Sequence, residues 1–220
     1  MRSNKGFTLI EIIVAVALVA ILSAAIAPSV LNNIAQGRVA RAQSDVQAVA
    51  QGIMKFKSEV GVFPRLVFAT SPDSTGAAFD YLGSGGANAN FPTRETDAKW
   101  AAGDVFTAEV NTTGSIEDIT SHLIFGVSRA ASADSLYPRV PAGKEDDPTA
   151  VGFRSGVISS DPLDPWGNSY MVNVAPLGRP GQPVWVISAG PNGLLQTTVS
   201  DSGYFAADNL EGDDIGFRIQ

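Results

Sequence analysis

Met1-Arg2-Ser3-Asn4-Lys5-Gly6-Phe7-Thr8-Leu9-Ile10-Glu11 opens the chain, and residues 7–30 form an apolar run in which Glu11 is the one charge. About 20 apolar residues is the length an α-helix needs to cross the hydrocarbon core of a bilayer. A carboxylate inside such a run costs roughly 2.5–3.5 kcal/mol on insertion scales, so Glu11 requires a partner or a purpose. Pro28 lies near the end of the run, where it removes one backbone hydrogen bond and predicts a kink or a locally unwound turn.

Helical periodicity continues beyond the apolar run. Ala42, Val46, Val49, Ile53, Phe56 and Val60 recur every three or four residues, with Gln43, Asp45, Gln47, Gln51, Lys55 and Lys57 on the other sides. This is one apolar stripe of an amphipathic helix lying on a soluble domain. A helix from residue 7 to residue 60 would be roughly 80 Å long at 1.5 Å per residue. Gly61 suits the left-handed position that closes a helix, and Pro64 follows where helices have ended.

At 220 residues the chain has room for one membrane helix and one globular domain with its own core. The formal charge of −7 argues against a nucleic-acid partner. With no cysteine, disulfides and thiolate metal sites are excluded, and the single histidine, His122, leaves little material for an imidazole metal site. No G-x-S-x-G, H-E-x-x-H, P-loop or G-x-G-x-x-G pattern occurs, so the composition predicts no enzyme. Asn111-Thr112-Thr113 matches a glycosylation sequon by chance.

The amino terminus has two plainer readings. A basic leader and an apolar core also make a secretory signal peptide, with Ala25-Ile26-Ala27 at the cleavage position, but Pro28 would follow that cut and the helical period runs on past it. A simple anchor with Arg2 and Lys5 held in the cytoplasm explains all but Glu11 and the Gly6-Phe7 junction. Lys5-Gly6-Phe7-Thr8-Leu9-Ile10-Glu11 resembles the cleavage motif of type IV prepilins and type II secretion pseudopilins. That resemblance implies residues 1–6 as a leader removed by a prepilin peptidase after Gly6, with N-methylation of Phe7. It implies residues 7–30 as a membrane and assembly helix, in which Glu11 neutralises the amino terminus of an adjacent subunit and Pro28 marks a segment that loosens in the filament. Pairing the two charges relieves the cost of each in lipid and fixes register.

Residues 31–64 would carry the helix into the domain, and residues 65–156 read as a loop-rich insertion with short helices and a strand pair. Within it, residues 116–131 are the best helical candidate, with Ile119, Leu123, Ile124, Val127 and Ala131 as the stripe, Ser115 as N-cap and His122 beside the stripe. Residues 157–220 are expected to hold strands at 170–174 and 184–188, with Asn192-Gly193 as a hairpin turn and 194–199 pairing back. The small antiparallel sheet would lie on the amphipathic helix, an α+β architecture.

Three landmarks in this region, Asp164-Pro165-Trp166-Gly167-Asn168, Ile187-Ser188-Ala189-Gly190-Pro191-Asn192-Gly193 and Gly212-Asp213-Asp214-Ile215, resemble the major pseudopilin of type II secretion, leaving the middle unmatched. Acidic residues crowd the last 20 positions; by spacing they make either a solvated loop or a Ca²⁺ site of oxygen ligands. The resemblance implies calcium, held by Asp213 and Asp214 with Leu194 or Leu195 carbonyls, and with Asn192 and Asp208 as further candidates.

The resemblance further implies a type IV pilin-like structural subunit in the bacterial inner membrane, its carboxy-terminal domain in the periplasm. Its partners would be copies of itself in a periplasmic filament, prepilin peptidase, minor pseudopilins and an inner-membrane assembly platform with a cytoplasmic ATPase. The alternatives are a type IV pilin of a surface fibre for motility, adhesion or DNA uptake, and an anchored exported enzyme or binding module whose working part is the insertion.

Overall fold

The computed structural model describes residues 6–64, 81–85, 93–94, 116–119, 121–126, 137, 139–158, 160–174, 176–197 and 209–220. Contacts divide the chain into two compact units, Met1–Ala40 and Arg41–Gln220. In the first, helix α1 (Leu9–Val60) begins and its apolar side chains are all exposed, from Leu9 through Ile34. The helix continues through Pro28, so of the kink or unwound turn expected there the unwound turn is absent. Proline forfeits its own N–H bond, but its fixed φ is helical, so the helix runs through it with that one bond missing.

The second unit is built on the last turns of α1. Ala42, Val46, Val49, Ile53, Phe56 and Val60 are each no more than 3% exposed, so the stripe read from the sequence is the buried face. Each such aliphatic or aromatic side chain contributes about 1.5–3 kcal/mol on leaving water. Gly61 adopts φ +84 and its N–H donates to the Lys57 carbonyl at 3.0 Å, closing the helix as expected.

Opposite this face stands a five-stranded sheet. Its strands are β1 (Tyr81–Gly83), β3 (Ile116–Asp118), β4 (Met171–Asn173), β5 (Trp185–Ser188) and β7 (Ile215–Arg218), in the order β3-β1-β4-β5-β7. The β1-β4-β5-β7 part is antiparallel, with Leu82 facing Val172 and Val186 facing Phe217; β3 adds in parallel at the edge. Two shorter strands, β2 (Thr93–Arg94) and β6 (Leu194–Leu195), pair in parallel. Leu82, Val172, Val184 and Val186 meet the helix stripe in one core together with Tyr170, Val174 and Leu177.

Two further expectations from the sequence are corrected. The helix expected over 116–131 is β3 followed by a single π-helical turn, Ser121–Phe125. Ile119 and Leu123 of the expected stripe are buried, and so is His122 beside them. The turn stops because Gly126 sits at φ +63, and a side chain there would strike the Phe153 ring. Ser115 and 127–131 lie outside the described residues. The hairpin expected at Asn192-Gly193 is a turn without a hairpin. Leu194–Leu195 pairs with β2, and β7 takes the edge of β5 instead. With β4 on one edge of β5 and β7 on the other, Leu194 has no free edge to join, and Asn192 Oδ1 accepts the Leu194 N–H at 2.6 Å within the turn.

The described part of 65–156 is integral to the core. Tyr137 meets Phe56 edge-on at 4.7 Å between centroids, Phe153 lies 6.0 Å from the same ring, and both are buried. The Gly152 N–H donates to the Glu59 carbonyl at 2.7 Å, satisfying one of the helix's last acceptors.

Candidate functional site

The sequence-predicted functional residues fall in two regions. At the amino terminus, Gly6 and Phe7 are exposed and precede the first helical residue. A Cβ on Gly6 would meet no atom within 4 Å, and Gly6 is not at positive φ, so the fold itself does not demand glycine there. Thr8 and Glu11 form a reciprocal cap: the Thr8 N–H and Oγ1 each lie 3.3 Å from Glu11 Oε2, and the Glu11 N–H reaches Thr8 Oγ1 at 3.4 Å. Thr-x-x-Glu at a helix start is the capping-box pattern, a signal legible in the sequence that gives Glu11 a partner within its own chain. Phe7 is 80% exposed, and Val19, Leu22, Ile26, Ala27, Val30 and Leu31 line a shallow apolar depression of about 450 Å³ on the helix. By length and composition this helix can cross a membrane, and none of its apolar window is buried.

The second region joins two segments that are apart in sequence. Gly190 at φ +64 lets the Asp213 backbone come close, since a Cβ there would lie 2.2 Å from the Asp213 carbonyl oxygen. The Asn192 N–H donates to Asp213 Oδ2 at 3.2 Å, and Gln196 Oε1 accepts from the Asp213 N–H at 2.9 Å and from Asn192 Nδ2 at 3.2 Å. Asp214 is buried. Its Oδ2 accepts three hydrogen bonds, from the Gln196 N–H at 3.0 Å, the Thr197 N–H at 2.7 Å and Thr197 Oγ1 at 2.6 Å. Burial pushes the Asp214 carboxyl above its ordinary range; these three donors pull it back, and the charge of Asp213 adds to the rise.

The other carboxylate oxygens, Asp213 Oδ1 and Asp214 Oδ1, are buried without a hydrogen-bond partner. A buried orphan carboxylate oxygen is costly, and carboxylate oxygens are the donor type that a hard cation takes. No cluster of three or more acidic, histidine or cysteine side chains able to hold a metal occurs among the described residues. The structure brings Asn192 against Asp213, and Gln196 and Thr197 against Asp214; Leu194 and Leu195 belong to the same segment, while Asp208 lies outside the described residues. The Asn192 side chain is engaged with Leu194 and Gln196, which makes it scaffold. Gln196 and Thr197, not singled out in the sequence, join Asn192 in binding the two segments together.

The Asp164-Pro165-Trp166-Gly167-Asn168 landmark is a structural hub. Asp164 Oδ1 accepts the N–H groups of Trp166 and Asn168 at 3.0 and 2.7 Å, and Oδ2 accepts Ser188 Oγ at 2.8 Å. His122 is buried and paired with Tyr137 Oη at 2.5 Å; burial lowers its pKa to about 3, so it is a neutral core residue.

Comparison with known proteins adds to this geometry. The family model of the prokaryotic N-terminal methylation motif matches residues 1–27. The chain is also 36% identical over 63 residues to the type II secretion system core protein G of Pseudomonas aeruginosa (strain PAO1), a match covering 29% of this chain and 44% of that one. Its amino-terminal segment is similar to those of prokaryotic proteins that carry the N-terminal methylation motif. It spans less than half the length of the curated relative it matches. No solved structure matches it. A long apolar amino-terminal helix and a small antiparallel sheet make the pilin-like α+β fold expected from the sequence.

Proposed function

We propose that this chain is a structural subunit of the periplasmic pseudopilus of a type II secretion system. The observation that carries the reading is the exposed helix start: a methylation motif over residues 1–27, an uncovered apolar helix and one carboxylate, Glu11, within it. Prepilin peptidase would cut after the exposed Gly6 and methylate Phe7. The chain would sit in the inner membrane through the apolar part of α1, with its domain in the periplasm. Its filament would form through α1, with minor pseudopilins, an inner-membrane platform and a cytoplasmic ATPase as partners.

The physical logic is relief of a membrane penalty. The new ammonium at Phe7 and the Glu11 carboxylate are each costly in lipid, and pairing across subunits offsets both. The Thr8 cap occupies Glu11 Oε2, leaving Oε1 for the neighbour. Pro28 gives the helix a point where opening forfeits one bond fewer. With its one imidazole committed to the core, the chain is proposed to have a structural, non-catalytic role.

Calcium belongs to the same reading. Asp213 and Asp214 would supply the two orphaned oxygens, with carbonyls such as those of Leu194 or Leu195 completing the set. The ion would clamp segment 190–197 to segment 211–214, work that a disulfide cannot do in a chain without cysteine.

The test compares secreted and periplasmic proteomes of the parent strain and a strain lacking this chain. Accumulation of exoproteins in the periplasm supports the secretion role. An unchanged secretome with loss of surface fibres would overturn it in favour of a type IV pilus.

A further inference from the structure

We propose that Thr197 is a positioning residue that holds the Asp214 carboxylate so that its Oδ1 faces a divalent cation. The inference rests on the calcium reading above and concerns a residue that neither sequence pattern nor comparison assigns. Thr197 makes two of the three hydrogen bonds to Asp214 Oδ2, through its N–H at 2.7 Å and its Oγ1 at 2.6 Å. The same hydroxyl accepts the Glu211 N–H at 3.1 Å. A hydroxyl has one proton, and the backbone N–H of Glu211 can only donate, so the Thr197 proton is committed to Asp214. Its orientation is thereby fixed from both sides, within a site where Thr197 is 1% exposed.

The consequence is an unequal carboxylate. Oδ2 is saturated by three donors, whereas Oδ1 of Asp214, on a side chain that is nine-tenths buried, has none. The neighbouring Asp213 repeats the asymmetry, with Oδ2 accepting the Asn192 N–H and Oδ1 unpartnered. Two adjacent carboxylates each pinned by one oxygen, with the other oxygen buried and unmet, match what outer-shell hydrogen bonding does at metal sites: it orients the ligand and leaves one face for the ion. Thr197 also bridges the exit of β6 to the Glu211–Asp214 turn, so it couples ligand orientation to loop position.

The experiment measures calcium binding to the full-length chain in detergent micelles by isothermal titration, alongside melting in calcium and in chelator. The variants are Thr197→Val, which keeps shape and removes the hydroxyl, and Thr197→Ser, which keeps the hydroxyl. The valine variant should bind calcium about 10- to 100-fold more weakly, with a smaller calcium-induced rise in melting temperature, and serine should restore both. Unchanged calcium affinity in Thr197→Val, with wild-type binding intact, overturns the positioning role while leaving the calcium site standing. Failure of the wild-type chain to bind calcium overturns the calcium reading and this inference with it. Should the valine variant lose its cooperative transition, Thr197→Cys preserves volume with only a weak donor and carries the same comparison.

Discussion

Replacing Phe56 with alanine tests whether the long segment between α1 and β4 is part of the core or an appended module. Phe56 is fully buried, and its ring meets Tyr137 edge-on at 4.7 Å and Phe153 at 6.0 Å, both contributed by that segment. Deleting a buried phenylalanine costs about 3–5 kcal/mol, of which the edge-to-face pair accounts for roughly 0.5–1.5 kcal/mol. For a domain the size of Arg41–Gln220, about 2–4 °C is lost per kcal/mol, so the melting temperature should fall by roughly 6–20 °C. The assay is thermal and urea unfolding of that unit, with Met54→Ala as control; Met54 is 49% exposed, and its truncation should stay within about 0.5 kcal/mol. A double-mutant cycle of Phe56→Leu with Tyr137→Leu should show coupling of about 0.5–1.5 kcal/mol. A Phe56→Ala shift below about 2 °C, together with an additive cycle, would refute the claim that the segment is wired into the helix.

Three further outcomes are expected. Glu11→Val should insert and be processed normally yet give little filament, read by mass spectrometry of the amino terminus and by shearing of assembled fibres; normal fibre yield would defeat the charge-pairing argument. Because burial holds the Asp214 carboxyl above its unfolded value, its contribution to stability in chelator is complete below the unfolded pKa and is lost as pH rises through the folded one. Asp214→Asn should therefore flatten that decline in chelator, and should destabilise only when calcium is present. An equal loss in both conditions would mark an ordinary acidic loop. His122 behaves oppositely: with its pKa lowered to about 3, it stabilises above its unfolded pKa near 6.5 and loses about 1.4 kcal/mol per pH unit as pH falls below that. His122→Leu should remove this part of the acid slope, as followed by melting temperature between pH 7 and 4.5, and a slope unchanged by the substitution would contradict it.

Elements whose signal is periodic were legible in the sequence. The stripe from Ala42 to Val60 reads directly because helix period and burial coincide, and the β5 run Trp185-Val186-Ile187-Ser188 reads because branched and aromatic residues stand between turn formers. What failed was pairing. Ile116 looks helical beside Ile119 and Leu123, yet its backbone partner is Tyr81, 35 positions earlier by the pairing register, and no local pattern announces a parallel edge strand. Leu194 follows a strong hairpin dipeptide, but β7, at the far end of the chain, competes for the same edge of β5 and takes it. The site divides similarly. Asp213 and Asp214 were visible as charge, whereas Gln196 and Thr197 are ordinary polar residues whose role exists only once two distant segments meet. The Thr8 and Glu11 cap was the one functional pairing written locally, and its three-residue spacing was readable.

The way α1 ends bears on which function the chain can serve. A helix leaves its last carbonyls without partners, and here Gly61 serves Lys57 while Gly152, from the long middle segment, serves Glu59. Lys57 Nζ returns to the Gly61 carbonyl at 2.5 Å and lies 4.8 Å from the Phe63 ring centroid, so the helix terminus is held by groups on either side of it. Tyr170 Oη donates to Asp45 at 3.0 Å and fixes the sheet to the same helix three turns earlier. An appended working module would need only to be tethered, and its backbone would not be required to complete the helix. In this chain the middle segment supplies a main-chain donor and two core aromatics to α1, an arrangement that would suit the proposed filament subunit, whose long helix would have to hold against its domain while neighbouring copies drew on the exposed apolar end. Separating those roles experimentally turns on Gly152. A side chain there would run into the Arg139 and Val140 backbone, so Gly152→Val should loosen the helix end and lower the domain's melting temperature without touching the amino terminus. Full filament yield from such a loosened subunit would show that assembly depends on the apolar half of α1 alone, and the coupling argued here would fall.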